Sequence, residues 1–455
     1  MKHWALVLAL LGFAGAANAQ TDAELRADGT KAGNTDNVLT YGMGYHQNRY
    51  STLDKINKSN VKRLVPVWST SLDNELGEQA QPLVHDGVMY VSNARWTYAM
   101  DALTGRVIWR TAVNFDPDTP RVVCCGNSNK GVAIYNGKVF RGTLDAHVIA
   151  LDMKTGKEVW RQKAAEWKEG YSMTVAPQIA NGVVITGCSG AEFGARCFLD
   201  GWDPETGKKL WRRYTTAGPG EKGHETWEPR EAYLRGGAST WITGSYDPEL
   251  DLLYWGTGNG GPWNDAKRKG DNLYVASVMA LRPKTGEVVW HYQFAPNDVW
   301  DWDTWELIQG DVTVNGQRRK VIMQMSRNGF LYVIDRTNGQ LLSANPFAKV
   351  NWATHVDLKT GRPVESEESK KLRAGGTIQI WPSINGAKNW PHAAFNPNTG
   401  LLYANTYHSY STFKFVPLGE YKAGFRYTGI ENIYPPTPTD EPSGHMEAID
   451  PVSGK

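Results

Sequence analysis

Asp101-Ala102-Leu103-Thr104-Gly105, with Trp109 four residues further on, decides the fold because the chain repeats it. Asp152 to Gly156 is followed by Trp160, Asp203 to Gly207 by Trp211, and Arg282 to Gly286 by Trp290. Asp335 to Gly339 keeps the turn, with Leu342 near the place of the next tryptophan, and Glu447-Ala448-Ile449-Asp450 to Gly454 opens a sixth copy. The first three glycines stand 51 residues apart, and the later gaps are 79, 53 and 115. Each unit reads as an apolar strand, a tight turn and a strand carrying Trp. Gly supplies the positive φ such a turn needs, and Asp can bond the turn's own backbone.

A strand-only period of about 50 residues marks the blades of a β-propeller. A four-stranded blade cannot bury both faces alone, so the tryptophans are expected to pack between neighbours. The 19 Trp and 47 Gly of this chain fit many short strands and turns better than a few long helices. The fold class expected is therefore all-β, a propeller over residues 20–455. The longer intervals near 212–240 and 343–380 are expected to be loop insertions, and no Pro-rich or Gly/Ser-rich linker marks a second domain. A propeller ring must close to avoid open sheet edges. Here the sixth copy stops at Gly454-Lys455, before its strand and Trp. The expectation is that C-terminal blades are missing from this sequence and that these 455 residues alone are inactive or unstable.

The N-terminus points to export. Lys2 and His3 precede a mostly apolar run from Trp4 to Ala17, and Ala17-Asn18-Ala19 is a small-x-small cleavage site. Residues 1–19 read as a signal peptide and the mature chain begins at Gln20, most simply in a bacterial periplasm. No later stretch is long and apolar enough to span a bilayer, so an integral membrane protein is not expected. A net charge of +2 gives no field for nucleic acid.

Four cysteines would sit in an oxidising compartment. Cys124 and Cys125 are adjacent, and neighbouring cysteines cannot easily share one tetrahedral zinc. They form either a bonded pair closing a small ring or two unrelated thiols. Cys188 and Cys197 flank Ser189-Gly190-Ala191-Glu192, and a second disulfide pinning that loop is expected. No Cys-x-x-Cys-His is present to attach a c-type haem.

From about Asn48 to Lys455 the chain resembles the PQQ-dependent methanol and ethanol dehydrogenases, eight-bladed quinoprotein propellers. The segments that carry the likeness occur in family order. Val123-Cys124-Cys125 with Asn129-Lys130-Gly131 is similar to the family's vicinal-cysteine segment. The resemblance implies a Cys124–Cys125 disulfide over one face of the quinone. Lys130 stands where Arg is common, a point charge in place of a bidentate fork toward a PQQ carboxylate. It further implies cofactor contacts for Thr174, Ser189, Gly190, Ala191 and Ser239, with Trp241 as the floor on which the quinone stacks. Arg327 would bond the quinone oxygens and Asn389-Trp390 would touch the cofactor from the side. Glu78 resembles a contacting Glu that many relatives place one residue later, at the position of Gln79.

The same resemblance implies Glu192, Asn259 and Asp301 as metal ligands and Asp301 as the catalytic base. Oxygen donors without Cys or His suit a hard cation such as calcium. Asp303, two places after the base, resembles the lanthanide-type relatives, where an added carboxylate suits a trivalent ion. The other reading of Asp303 is a carboxylate that caps a loop or pairs with a nearby base. The implied reaction is oxidation of a small primary alcohol to the aldehyde. Asp301 takes the hydroxyl proton, the metal polarises the quinone, Arg327 stabilises developing charge, and a periplasmic cytochrome c accepts the electrons. A homodimer is left open. The rival from another class is a non-catalytic periplasmic scaffold propeller of the outer-membrane assembly type, which shares the repeat but lacks the paired cysteines and the Glu, Asn and Asp set. A third reading adds a cytochrome domain beyond Lys455.

Overall fold

The Asp101 turn forms as its residues dictate. Asp101 Oδ1 accepts hydrogen bonds from Leu103 N (3.1 Å), Thr104 N (2.9 Å) and Thr104 Oγ1 (2.8 Å). Gly105 closes the turn at φ +70°, its N–H bonded to Asp101 O at 2.8 Å. Asp152 and Asp203 bond their turns in the same way. Each turn joins the third and fourth strands of a meander.

A computed structural model describes residues 20–74, 77–433 and 443–455, so the expected signal peptide lies outside the described residues. Among those residues are five four-stranded antiparallel sheets, each strand paired with its neighbour in sequence. The first uses Leu83–His85, Val88–Ser92, Trp96–Asp101 and Val107–Ala112; the fifth uses Ile308–Val314, Gln317–Met325, Phe330–Asp335 and Leu341–Pro346. A three-stranded sheet follows, from Ala394–Asn396, Leu401–Tyr407 and Gly444–Ile449. The long interval before it holds more than loop. It contains a hairpin (Ala353–Asp357 with Arg362–Glu365), the helix Glu367–Arg373, and Ile378–Ile380, which joins a second three-stranded sheet with Ser411–Phe415 and Ile430–Ile433. The interval 215–244 is loop and 3₁₀ turns.

The sheets are joined by their tryptophans. Trp109 lies on Gly156 of the next sheet, Trp160 on Gly207, Trp211 on Gly286 and Trp290 on Gly339; a methyl at any of these glycines would meet the ring at 2.5–2.7 Å. The indole N–H reaches a carbonyl three residues before the glycine in three of these joints: Trp109 to Met153 O, Trp160 to Pro204 O and Trp211 to Pro283 O. Trp68 makes the same joint with Gly105 and Ala102 O, although it precedes the first recognisable repeat. Leu342 does not take the place of the next Trp. It packs against the apolar cluster shared with the following three-stranded sheet, and Asn345 lies against Gly454 instead.

In a four-strand meander the 3–4 turn lies at the same end as the 1–2 turn. The 2–3 hairpin and the link to the next sheet lie at the other end. The Asp-Thr-Gly turns and Trp joints therefore occupy one end of every sheet, and the longer 2–3 hairpins and links are free at the opposite end. Gly207→Ala should test the joint. It places a Cβ in the left-handed region and against Trp160, and unfolding in denaturant is expected to show a loss of about 2–4 kcal/mol.

Candidate functional site

The residues singled out from the sequence sit on the 2–3 hairpins and inter-sheet links. Cys124 to Lys130 lies on the link between the first two sheets, after the 3₁₀ turn Thr119–Val122. Thr174 lies on the second link, Ser239 and Trp241 on the third, and Asp301 and Asp303 on the fourth. Ser189–Glu192, Asn259 and Arg327 lie on 2–3 hairpins. Strand geometry alone therefore brings segments some 250 residues apart to one end of the ring.

They surround a cavity of about 580 Å³. Its walls include Cys124, Cys125, Lys130, Thr174, Ser189, Gly190, Glu192, Ser239, Trp241, Asp301, Asp303, Arg327, Asn389 and Trp390. Ala191 and Asn259 are fully buried directly behind this wall. Glu78 is not part of it: it is exposed and accepts a hydrogen bond from Asn93 Nδ2 at 3.3 Å. Gln79 takes the wall position, and its Oε1 accepts from Lys130 Nζ at 3.0 Å. A one-residue step along extended chain reverses the facing of the side chain, which excludes Glu78.

Cys124 and Cys125 are bonded, with Arg426 Nη2 3.6 Å from Cys124 Sγ. Cys188 and Cys197, by contrast, are free, buried thiols, with the Cys197 thiol hydrogen-bonded to Cys188. The expected second disulfide is not formed. The backbone already pins that loop: Cys188 N bonds Thr240 Oγ1 at 2.8 Å, Thr240 N bonds Cys188 O at 2.8 Å, and Cys197 N bonds Gly237 O at 3.1 Å.

Lys130 Nζ stands between two indoles, 4.7 Å from the Trp241 ring centre and 5.7 Å from that of Trp390. Burial pushes its ammonium down to about 7. Thr174 and Ser189 share a hydroxyl bond of 2.9 Å. Trp241 Nε1 donates to Asp303 Oδ2 at 3.2 Å, and the indole meets Trp305 edge-on. Trp305, which has no repeat to mark it, thus backs Trp241. Trp263, five residues from the end of the Gly256-Thr257-Gly258 run, also lines the cavity.

The acidic side is organised by one guanidinium. Arg327 Nη1 donates to Asp303 Oδ2 at 3.2 Å and Nη2 to Asp301 Oδ2 at 3.3 Å, with Ile384 O also bound at 2.7 Å. Asp303 Oδ1 accepts from Asn259 N at 2.5 Å. Asp303 is therefore paired with Arg327 in this structure. Asp301 is held in the left-handed region at φ +64°, which projects its carboxylate from a sharp bend. Asp298 secures that bend: its Oδ1 accepts from Trp300 N and Trp302 N, each at 3.3 Å. Burial raises the Asp301 carboxyl well above its ordinary value; Arg327 opposes the rise, and Asp303 and Glu192 add to it. Glu192 is raised by burial and then by Asp303, and Asp303 by burial against the pull of Arg327.

A cation would relieve this crowding. Asn259 Oδ1 is buried with no hydrogen-bond partner, an oxygen donor left open beside the carboxylates. Among the described residues no three acidic, His or Cys side chains are drawn together around one point, because Arg327 holds Asp301 and Asp303.

Comparison with known proteins agrees with the architecture. The family model for PQQ, described as glucose/ethanol/alcohol dehydrogenase, beta-propeller domain, matches residues 39–346. The chain is 46% identical over 385 residues to the quinohemoprotein alcohol dehydrogenase ADH IIB of Pseudomonas putida, covering 80% of this chain and 55% of that protein. It is 40% identical to the quinoprotein alcohol dehydrogenase PedH of Pseudomonas putida, covering 99% of this chain and 79% of that one. The chain thus spans little more than half the length of the first relative. The solved structure of a europium-containing methanol dehydrogenase superposes with a TM-score of 0.88 at 36% identity, over 93% of this chain and 77% of that chain. The quinohemoprotein alcohol dehydrogenase of Comamonas testosteroni also gives 0.88 at 36%, over 96% and 68%.

The thiol assignment is open to direct counting. Two thiols per chain should react with a thiol reagent in denaturant and none in the native protein. No reactive thiol after unfolding would restore the second disulfide.

Proposed function

As the chain belongs to the PQQ-dependent alcohol dehydrogenase β-propeller family, we propose that it oxidises a primary alcohol to the aldehyde in the cavity above Trp241. The observation that carries this is Asp301, bent into the cavity in left-handed backbone and gripped by the same guanidinium as Asp303. The residues fit PQQ, a flat quinone with three carboxylates: indole faces at Trp241 and Trp390, cations at Lys130 and Arg327, hydroxyls at Thr174, Ser189 and Ser239. They fit a hard cation through Glu192, the unpartnered Asn259 Oδ1 and Asp301, with Asp303 as the additional carboxylate of a lanthanide site. When bound, PQQ supplies the two-electron acceptor and the ion supplies Lewis-acid polarisation.

The chain's own residues do the rest. Asp301 accepts the alcohol's hydroxyl proton, its carboxylate turned into the cavity by the left-handed bend that Asp298 secures. Arg327, 3.3 Å away, favours the carboxylate form before transfer and keeps Asp303 paired afterwards. Trp263 and Ile384 give the cavity an apolar side for the alcohol carbon. Export to a periplasm and delivery of electrons to a cytochrome c belong to the same proposal. The signal-like residues Lys2 to Ala19 support the export part of it.

Reconstitution of the full-length gene product with PQQ and either calcium or lanthanum, read by alcohol-dependent dye reduction, tests the reaction and the ion together. Activity with lanthanum above that with calcium is expected; equal or greater activity with calcium alone would sink the lanthanide assignment. Asp301→Asn should lower kcat by roughly 10²–10⁴-fold while the PQQ absorbance remains. Loading should also depend on pH. Lys130 carries its charge below about 7, so affinity for the anionic cofactor should weaken as pH rises from 6 to 9. Lys130→Arg keeps a charge throughout and should flatten that profile, measured by quenching of tryptophan fluorescence.

A further inference from the structure

Glu306 closes the link that carries Asp301 and Asp303, and Lys388 immediately precedes Asn389-Trp390. Both side chains are buried, at 3% and 0% exposure. Lys388 Nζ donates to Glu306 Oε1 at 2.7 Å, to Asn389 O at 3.1 Å and to Pro391 O at 3.0 Å. The two carbonyls stand on either side of Trp390. Glu306 Oε1 also accepts from Ala393 N at 3.0 Å, so one carboxylate oxygen holds both ends of the 388–393 segment. Ala387 N donates to Arg327 O at 2.9 Å, tying the residue before this segment to the backbone of the arginine whose guanidinium grips Asp301. Trp305 fills the space between, with Lys388 Nζ 5.8 Å and the Arg327 guanidinium 5.1 Å from its ring centre.

Stability does not explain such a pair. Two charges lose several kcal/mol of hydration each on burial, and a well-packed apolar pair often serves the fold as well. What an apolar pair cannot do is hold two backbone carbonyls. All three ammonium protons of Lys388 have partners, and two of those partners are backbone carbonyls one residue to either side of Trp390.

We propose that Lys388 and Glu306 are positioning residues for the cofactor slot: their buried ion pair clamps the Asn389–Pro391 turn so that Trp390 stands as a wall of the cavity, and it couples that wall to the link bearing Asp301. The inference rests on the PQQ reading above. It assigns the pair no contact with cofactor or substrate, only control of the groups that make those contacts.

The test uses the full-length protein and three readouts: thermal melting, PQQ affinity of the apo-protein from tryptophan quenching, and alcohol oxidation. Lys388→Met alone leaves Glu306 buried without its lysine, with the His392 ring 3.7 Å from Oε2 beside it, and should melt well below the wild type. Lys388→Met with Glu306→Leu removes both charges and should melt within a few degrees of it, yet bind PQQ at least tenfold more weakly, with KM for the alcohol little changed. Trp390→Ala should weaken PQQ binding to a similar extent, and adding it to the double variant should cost nothing more. A double variant that binds PQQ within twofold of the wild type overturns the inference, as do additive losses with Trp390→Ala or a double variant that melts as low as the single one. Failure of the wild type itself to take up PQQ would instead remove the functional reading, and this inference with it.

Discussion

An indole laid on the glycine of a neighbouring turn is the contact on which the rest of this protein depends. Neither half works alone. The glycine must be left-handed to close its turn, and it must lack a side chain so that the ring can lie flat against the backbone. The ring also carries an N–H, and at the Trp109, Trp160 and Trp211 joints the neighbouring turn presents a carbonyl to it in register. The motif Asp-x-x-Thr-Gly with Trp four residues on therefore encodes two joints at once. Its turn receives one neighbour's ring and its Trp is offered to the other.

This confines the structural work to one end of each sheet. Antiparallel alternation delivers the other end as a ring of longer loops, and there the chain can carry groups that contribute little to folding. Asp301 in left-handed backbone, three carboxylates raised by burial and crowding, and a lysine buried between indoles would each weaken an ordinary core. They are tolerated because the strands that bear them are anchored elsewhere. Such sites depart from local rules where chemistry needs it, and the scaffold compensates.

The repeat was legible because it is local: turn, glycine and tryptophan fall within nine residues. The site was legible in so far as its members resemble a family pattern, and the structure brings nearly all of them to one cavity. What could not be read was whatever depends on facing or on distant pairing. Glu78 and Gln79 are chemically similar neighbours, and only the course of the extended chain decides that Gln79 meets Lys130. Cys188 and Cys197 have a plausible disulfide spacing, but the hydrogen bonds to Thr240 and Gly237 already perform the expected pinning. Trp68 lacked a preceding turn to identify it. Glu306 and Lys388 lie 82 residues apart, and no local pattern marks either one.

The joint at Gly454 separates two contributions that are fused at the Trp68, Trp109, Trp160 and Trp211 joints. Asn345 replaces the indole there, and its Nδ2 donates to Val452 O at 3.3 Å. The directional bond is kept and the aromatic area is lost. A net hydrogen bond contributes about 1 kcal/mol, whereas a large aromatic side chain can remove roughly 150–250 Å² from water, which is several times more at about 25 cal/mol per Å². This joint still specifies alignment, while adhesion between the two sheets passes to the buried cluster of Met323, Leu331 and Val333 with Phe395, Leu402 and Ile449. The boundary after the fifth sheet is therefore held by side-chain packing along the strands, and the turn contributes only its alignment.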